Sequence, residues 1–274
     1  MNKIYFVSTP IGNLKDITFR AIETLEGSDI IAAEDPKKSS ILLNHYNIKK
    51  KVIKYNEGNK EKAVKKIIDL VRKGKTLSYI SEAGSPSISD PGYLLVRKAL
   101  KYKMKVIPIP GPTAITTALM VSGIPSNQFI FMGFLPKKNS SIEKFLYTIK
   151  TYNLPVVIYV SPHKFSTFLN MYEKILNNRY LVIARELTKK YEEITRGFID
   201  DIKNKVEKNI KGEFTLIIDK SRINCNSIET NELIEKGRKL LNDYSISETS
   251  KILSKLYAFK RRKIYDLLHK FLKN

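Results

Sequence analysis

The chain has 274 residues, of which 42% are hydrophobic and 28% charged, a composition typical of one large or two smaller globular domains. No apolar run is long enough to span a membrane, and Pro10 soon interrupts the N-terminal apolar stretch, so we expect neither a transmembrane helix nor a signal peptide. The net charge of +22 favours a polyanionic partner such as nucleic acid, although AT-biased coding would produce a similar excess of lysine.

The first 121 residues alternate between short apolar runs and amphipathic helical patterns. Two of the helical patterns open on an acid followed by proline, Asp35-Pro36 and Asp90-Pro91, which are residues favoured at the N-cap and first helical position. The alternation predicts an α/β domain with a mostly parallel sheet and helices on both faces. The apolar runs predict strands at residues 3–8, 29–33, 52–55, 76–81 and 104–109.

The alternation breaks at residues 122–141, which we interpret as a linker between two domains. A second set of strands and helices follows to residue 219, and Ser161-Pro162 is predicted to cap a helix that ends at Leu176. Residues 184–197 are polar and charged between a strand and a helix. These patterns predict a second α/β domain over residues 122–225.

Only helical patterns remain from about Asn231 onward, and basic residues outnumber acidic ones there by about two to one. The short helices, joined at ISET and at YAFKRR, resemble a helix-turn-helix layout. The alternative is a helical tail that packs on the second domain or on a partner subunit. We predict a basic helical extension over residues 226–274.

The numbers and spacing of cysteine and histidine residues argue against disulfide frameworks and metal sites. Cys225 is the only cysteine, which excludes an intrachain disulfide framework and favours a reducing compartment, so we expect a cytoplasmic protein. The three histidines, His45, His163 and His269, are far apart in the sequence and form no zinc-binding pattern. We therefore expect no metal site.

Three loops that follow predicted parallel strands are rich in Gly, Pro, Ser and Thr: residues 8–16, 80–93 and 108–114. Ligands of open parallel sheets bind beyond the carboxyl ends of the strands, where these loops lie. None of the loops contains the glycine pattern of a dinucleotide or nucleoside-triphosphate site. Turn formation explains one such loop, but three at the same end of a sheet favour a ligand site.

Several acids in these loops are candidates for chemistry. Capping is a sufficient explanation for Asp90, whereas Glu82 has no such structural role and Glu34 directly follows a buried strand. In the second half, Arg185 and Glu186 end a predicted strand, although a solvated run of charges explains that segment as well.

The motifs TPIGNLKDIT, AAED, LLNHY, SEAGSPSISDPGY, PIPGPTA, GFLPKK, ARELTK and KGE occur in this order. Together they resemble the bacterial small-subunit ribosomal RNA methyltransferase I family of the tetrapyrrole-methylase superfamily. The resemblance extends from about residue 3 to residue 219, and the tail resembles the helical extension of that family.

The resemblance implies two α/β domains of the tetrapyrrole-methylase type that enclose a cofactor cleft, with a helical C-terminal extension. It implies a homodimer without metal or membrane attachment that transfers a methyl group from S-adenosylmethionine. The implied acceptor is the ribose 2′-hydroxyl of a cytidine in the decoding region of 16S rRNA. The cofactor-binding positions carried over to this sequence are Pro10, Gly12, Gly84, Ser85, Ile88, Thr113 and Ala114.

We expect a carboxylate to orient the ribose hydroxyl and take its proton, and a cation to hold the neighbouring phosphate. The candidate catalytic residues are Glu34, Asp35, Glu82, Arg185 and Glu186. The candidate contacts to rRNA or the small ribosomal subunit are Lys37, Lys137, Lys138, Lys189, Lys260, Arg261, Arg262 and Lys263.

The sequence departs from the family pattern in one helix and one loop. The family usually has AEDTRHTRKLL where this chain has AEDPKKSSILL, so Lys37 replaces an arginine and Ser40 replaces another basic residue. Lys37 would keep the charge but lose the bidentate geometry of arginine, which leaves the RNA contact of this helix open. The usual DAG is EAG here, which keeps a carboxylate at Glu82.

Two other functions compete with this hypothesis. A methylase of the same superfamily that acts on a tetrapyrrole would share the cofactor loops, but the basic charge, the basic tail and the AED and ELTK motifs argue against it. An RNA-binding or assembly factor without catalytic activity would need no cofactor cleft. Binding of S-adenosylmethionine distinguishes that factor from either enzyme.

Overall fold

A computed structural model of the protein describes residues 2–177, 179–206, 210–220, 230–257 and 261–272. The chain forms two compact units, Met1–Lys220 and Ser221–Asn274. Within the described ranges, no helix is both long and apolar enough to cross a membrane. The first unit contains two five-stranded sheets, each with its own hydrophobic core.

The first sheet contains the strands β1 Lys3–Val7, β2 Ile30–Ala33, β3 Lys51–Lys54, β4 Leu77–Ile80 and β5 Lys105–Ile109, and it packs with the helices α1 Phe19–Glu26, α2 Pro36–His45, α3 Lys60–Arg72 and α4 Gly92–Lys101. The sheet is entirely parallel, with the strand order β3-β2-β4-β1-β5. Helices cover both faces, because Ile67 and Leu95 pack on one face and Ala21 and Leu43 on the other. The predicted parallel sheet with helices on both faces is therefore present.

The second sheet is mixed, with the order β6-β7-β10-β8-β9, and only the β6–β7 pair is parallel. One face packs against α6, α7 and α8, and the other face packs against α5. The predicted boundary at residue 121 directly follows α5 and stays a prediction. The strands are β6 Ile130–Phe134, β7 Val156–Val160, β8 Leu181–Arg185, β9 Glu193–Gly197 and β10 Phe214–Ile218, and the helices are α5 Ala114–Met120, α6 Asn139–Thr151, α7 Pro162–Leu176 and α8 Ile199–Val206.

Two strands were not predicted from the sequence. The interpretation of residues 122–141 as a linker was wrong in part, since β6 and the start of α6 lie there. The polar segment 184–197 contains β9. Both strands are at an edge of the sheet and pair on one side only, where β9 is mostly polar and β6 is apolar but interrupted by Gly133.

The three predicted helix starts differ in detail. Asp35 caps α2, because its carboxylate accepts hydrogen bonds from the backbone N–H groups of Lys37 and Lys38. Asp90 is not an N-cap, since Pro91 takes that position and α4 begins at Gly92. Ser161 is at the N-cap of α7, but its side chain makes no capping hydrogen bond.

The second unit is helical, as predicted, with α9 Thr230–Leu240, α10 Ile246–Tyr257 and α11 Arg261–Leu272. Its core contains Leu233, Leu253, Ile264 and Leu268. Gly237 allows close packing there, because a Cβ atom at this position would lie 2.5 Å from Cδ2 of Leu268. The predicted domain boundary at residues 225 and 226 lies outside the described residues, and the helix-turn-helix interpretation stays a prediction.

Candidate functional site

A cavity of about 420 Å³ lies between the carboxyl ends of the first sheet's strands and one end of the second sheet. Its volume is in the range of sites that hold a small molecule. The first half of the unit contributes Ile11, Glu34, Ser81, Glu82, Ala83, Gly84, Ser85, Ile88, Ser89, Asp90, Thr113 and Ala114, and the second half contributes Phe134, Tyr159, Val160, Ser161, Pro162, Ala184, Leu187, Glu213, Phe214 and Thr215.

The three Gly/Pro-rich loops meet at the cavity and interlock. Thr9 and Gly84 exchange two backbone hydrogen bonds of 2.9 and 3.0 Å, and the hydroxyl groups of Ser8 and Ser85 lie 2.8 Å apart. The third loop approaches so closely that a Cβ atom on Gly111 would lie 2.8 Å from Cβ of Ser8. The loops therefore form one continuous wall.

Asp90 holds the second of these loops in an unusual conformation. Ser87 and Ser89 have positive φ angles of 71° and 67°, which non-glycine residues adopt only when the surroundings impose them. The Asp90 carboxylate accepts hydrogen bonds from the backbone N–H groups of Ser87 and Gly92 and from the Tyr79 hydroxyl. Burial raises the pKa of Asp90, whereas these donors lower it. Asp90 therefore organises the loop as well as lining the cavity.

Glu34 and Glu82 line the same wall at the ends of β2 and β4. Glu82 forms an ion pair of 2.5 Å with the Lys38 ammonium group at the start of α2. Glu34 is half-buried, and burial together with the negative charges of Glu82 and Asp90 raises its pKa above the usual range. Among the described residues, no lysine or arginine lines the cavity, so the site favours a cationic ligand.

Arg185 and Glu186 do not line the cavity. The Arg185 guanidinium donates to the Lys211 carbonyl and lies 3.6 Å from the Glu193 carboxylate. The Glu186 carboxylate accepts from the backbone N–H of Glu213 and from the Lys189 ammonium group. Burial raises the pKa of Glu186, but these hydrogen bonds dominate and hold it below the usual range. Both side chains thus connect β8 to the start of β10.

The ELTK segment, residues 186–189, follows β8 and packs against the first loop, residues 8–16. The backbone N–H of Asn13 donates to Oγ1 of Thr188, and a Cβ atom on Gly12 would lie 2.5 Å from Cγ of Lys189. Gly12 therefore allows the two halves of the unit to approach. Pro10 and Gly12 flank the cavity, and Ile11 between them lines it.

The structure brings most of the predicted cofactor positions, but fewer of the predicted catalytic residues, to the cavity. Five of the seven predicted cofactor positions line the cavity, namely Gly84, Ser85, Ile88, Thr113 and Ala114, and so do two of the five predicted catalytic residues, Glu34 and Glu82. Asp35 caps α2 instead.

Those of the predicted RNA contacts that the structure describes do not line the cavity. Lys37, Lys137, Lys138 and Arg262 are exposed. Lys189 is paired with Glu186 and Glu213, and Arg261 donates to Ser247. Lys260 and the side chain of Lys263 lie outside the described part of the chain.

The second sheet contributes an aromatic wall that the sequence did not predict. The Tyr159 ring lies 5.0 Å from Phe131 and 5.1 Å from Phe134, measured between ring centroids. Burial raises the pKa of Tyr159 to about 12, and its hydroxyl makes no hydrogen bond to any described residue. Aromatic residues near strand ends were the available signal, but β6 had to be recognised first.

Comparison with known proteins assigns the chain to a family. The family model described as Tetrapyrrole (Corrin/Porphyrin) Methylases matches residues 3–203. A Halalkalibacterium halodurans protein named ribosomal RNA small subunit methyltransferase I is 46% identical over 217 residues, which cover 79% of this chain and 75% of that protein. A protein of the same name from Buchnera aphidicola subsp. Schizaphis graminum is 39% identical over 268 residues, 96% of this chain and 94% of the relative.

The chain belongs to the ribosomal RNA small subunit methyltransferase I family. The resemblance found in the motifs is therefore confirmed. The chain is similar in structure to diphthine synthase, whose crystal structure matches it with a TM-score of 0.64 at 12% sequence identity. The match covers 79% of this chain and 90% of the diphthine synthase chain. That likeness confirms the predicted α/β class, a tetrapyrrole-methylase fold followed here by a helical region.

Proposed function

We propose that the protein transfers a methyl group from S-adenosylmethionine to the ribose 2′-hydroxyl of a cytidine in the decoding region of 16S rRNA. The observation that carries the proposal is an acid-lined cavity within a chain of net charge +22. The cavity favours a small cationic ligand, whereas the exterior favours a polyanion. The names of the relatives supply the reaction class and the rRNA substrate.

The residues of the cavity fit the proposed cofactor. S-adenosylmethionine supplies an electrophilic methyl group on a positively charged sulfur. Glu34, Glu82 and Asp90 complement such a charge, and the cavity volume is in the range for small-molecule ligands. Gly84, Ser85, Ile88, Thr113 and Ala114 would hold the cofactor, which is the role that the family resemblance gives them.

Glu34 is the best candidate for the general base. Glu82 is paired with Lys38, and Asp90 accepts hydrogen bonds from three donors. Burial and the negative charges of Glu82 and Asp90 raise the pKa of Glu34, which makes it a stronger base than an exposed carboxylate. In this proposal, Glu34 orients the ribose hydroxyl and accepts the proton that the hydroxyl loses.

RNA would dock through exposed basic residues such as Lys137 and Lys138, which follow the cavity residue Phe134 by three and four positions. The 2′-hydroxyl acceptor would select RNA over DNA. The homodimer, the lack of a metal and the cytoplasmic location stay predictions.

The decisive experiment incubates the protein with labelled S-adenosylmethionine and either naked 16S rRNA or assembled small subunits, and then maps the modified nucleotide. We expect label on the ribose of one cytidine, where the 2′-O-methyl group blocks alkaline cleavage of the adjacent phosphodiester. Label on a base, or transfer only to a tetrapyrrole, would contradict the proposal. Failure to bind S-adenosylmethionine in calorimetry would favour the alternative hypothesis, an RNA-binding or assembly factor without catalytic activity.

A further inference from the structure

Phe134 is an exposed aromatic residue that lines the cavity and belongs to none of the hydrophobic cores. Its side chain is 59% exposed, although it is the last residue of a strand and lies against Tyr159. A single exposed aromatic residue needs no explanation in general. Here, however, the local backbone directs the ring to this position.

A β-bulge in β6 determines which face Phe134 occupies. Phe131 is opposite Val157, but Phe134 rather than Gly133 is opposite Tyr159, so β6 contains one extra residue. Side chains alternate between the faces of a sheet, and one extra residue therefore transfers Phe134 to the face that Phe131 and Tyr159 share. In a regular strand, Phe134 would instead point to the opposite face, toward the core formed with α6 and α7.

Gly133 makes this bulge possible and brings the second loop close to it. Its φ angle of 71° is in the left-handed region, which glycine adopts without a steric penalty. The Oγ atom of Ser89 lies 3.6 Å from the position that a Cβ atom on Gly133 would occupy. Ile88, the residue before Ser89, also lines the cavity and is 44% exposed. The second loop therefore lies against the bulge that precedes Phe134.

Basic residues follow the aromatic ring directly. Lys137 and Lys138 are exposed and lie three and four residues after Phe134. An exposed ring next to cations matches a single-stranded nucleic acid, in which bases stack on aromatic side chains and phosphates meet lysine or arginine.

We propose that Phe134 forms a subsite for an unpaired nucleobase of the substrate RNA, and that the Phe134 ring is its stacking surface. The inference rests on the proposed function for the identity of the RNA. It assigns a specificity role to a residue outside the predicted catalytic and cofactor sets. The base would be held in place while its own ribose faces the acidic wall.

The test compares Phe134→Leu, which keeps an apolar side chain but removes the π face, with Phe134→Tyr, which keeps the π face. Phe129→Ala is the matched control, because Phe129 is exposed near the same strand but does not line the cavity. Each variant is assayed for KM with assembled small subunits and for S-adenosylmethionine affinity by calorimetry. We expect Phe134→Leu to raise KM for the subunit about tenfold, since stacking of one base contributes an effect of this order. Phe134→Tyr and Phe129→Ala should have the same KM as the unchanged protein. All three variants should keep the S-adenosylmethionine affinity of the unchanged protein.

Two results would overturn the inference: an unchanged KM in Phe134→Leu, or a parallel loss of cofactor affinity, which would assign the ring to the cofactor. If the unchanged protein methylates no subunits, the proposed function fails separately. Stacking is then judged with a single-stranded oligoribonucleotide that contains fluorescent pyrrolocytosine. Quenching that Phe134→Tyr keeps and Phe134→Leu loses would support the subsite, whereas no quenching with the unchanged protein would exclude it.

Discussion

Three carboxylates share one wall of the cavity, and their partners differ. Asp90 accepts hydrogen bonds from the loop that it organises, and Glu82 forms an ion pair with Lys38. Glu34 combines partial burial with two acidic neighbours, so its proton affinity is raised. Neighbouring carboxylates in different surroundings can take different roles, and this difference is the reason that we propose Glu34 as the base.

Replacing Glu34 with Gln should lower kcat by at least 10²-fold with much smaller loss of cofactor affinity, because general-base catalysis typically contributes that much. A carboxylate base is active when deprotonated, so the rate of the unchanged protein should fall as the pH drops through the raised pKa of Glu34. This acidic limb should be absent from Glu34→Gln. The measurement is a pH profile of single-turnover methyl transfer.

Asp35→Asn provides the control for this experiment. Asn caps helices as well as Asp does, and Asp35 does not line the cavity, so this variant should keep both its fold and its rate. If Asp35→Asn loses as much activity as Glu34→Gln, or Glu34→Gln keeps its acidic limb, Glu34 is not the base.

Lys38 should affect the pH at which the acidic limb of this rate profile occurs. Its positive charge lowers the pKa of Glu34, so Lys38→Met should raise this pKa further and move the acidic limb to higher pH. Lys101→Met, which removes an exposed lysine at the end of α4, should leave the limb in place. A limb that does not move in Lys38→Met would show that Lys38 acts on Glu82 alone.

At the scale of elements, the contact between the first loop and the ELTK segment depends on Gly12. A Cβ atom there would lie 2.8 Å from Oγ1 of Thr188 and 2.9 Å from the Leu187 carbonyl oxygen, and a backbone carbonyl cannot easily move. We expect Gly12→Ala to lower the free energy of unfolding by about 1–3 kcal/mol through overpacking, measured by denaturant titration. Gly58→Ala is the control, because its nearest neighbour would be 3.7 Å away. Equal midpoints for the two variants would disprove the close contact.

The elements also show how far the sequence predicts the structure. The strands of the first sheet were predictable, because buried parallel strands such as β2 are continuous apolar runs. The edge strands β6 and β9 were not predicted, since β6 contains a glycine at its bulge and β9 has one apolar side chain, Ile194. For the same reason, Glu34 and Glu82 could be proposed from their position after buried strands, whereas Phe134 and Tyr159 could not. The register shift that brings Phe134 to the cavity has no signature in the sequence beyond Gly133.

At the scale of the whole molecule, the cofactor and RNA requirements should separate experimentally. The cavity is formed by residues between Ile11 and Thr215, so a chain that ends at Lys220 should keep its affinity for S-adenosylmethionine. The full chain should lose RNA affinity by about 10³-fold between 50 and 200 mM salt if it contacts about six phosphates. The truncated chain should bind RNA more weakly and with a shallower salt dependence, as measured by filter binding. Identical salt slopes would show that the basic helical tail makes no phosphate contacts.

The interlocked loops have a consequence for how the protein is made. The hydrogen bond between Ser8 and Ser85 joins residues 77 positions apart, and the one between Asn13 and Thr188 joins residues 175 positions apart. Such distant contacts form late, because closing long loops costs entropy before any contact compensates for it. Cofactor binding should therefore appear after most secondary structure has formed, which stopped-flow refolding with S-adenosylmethionine present would detect as a lag. During synthesis, a nascent chain without the start of β10 would lack part of the cavity wall, so the enzyme would first bind its cofactor only after this strand has left the ribosome.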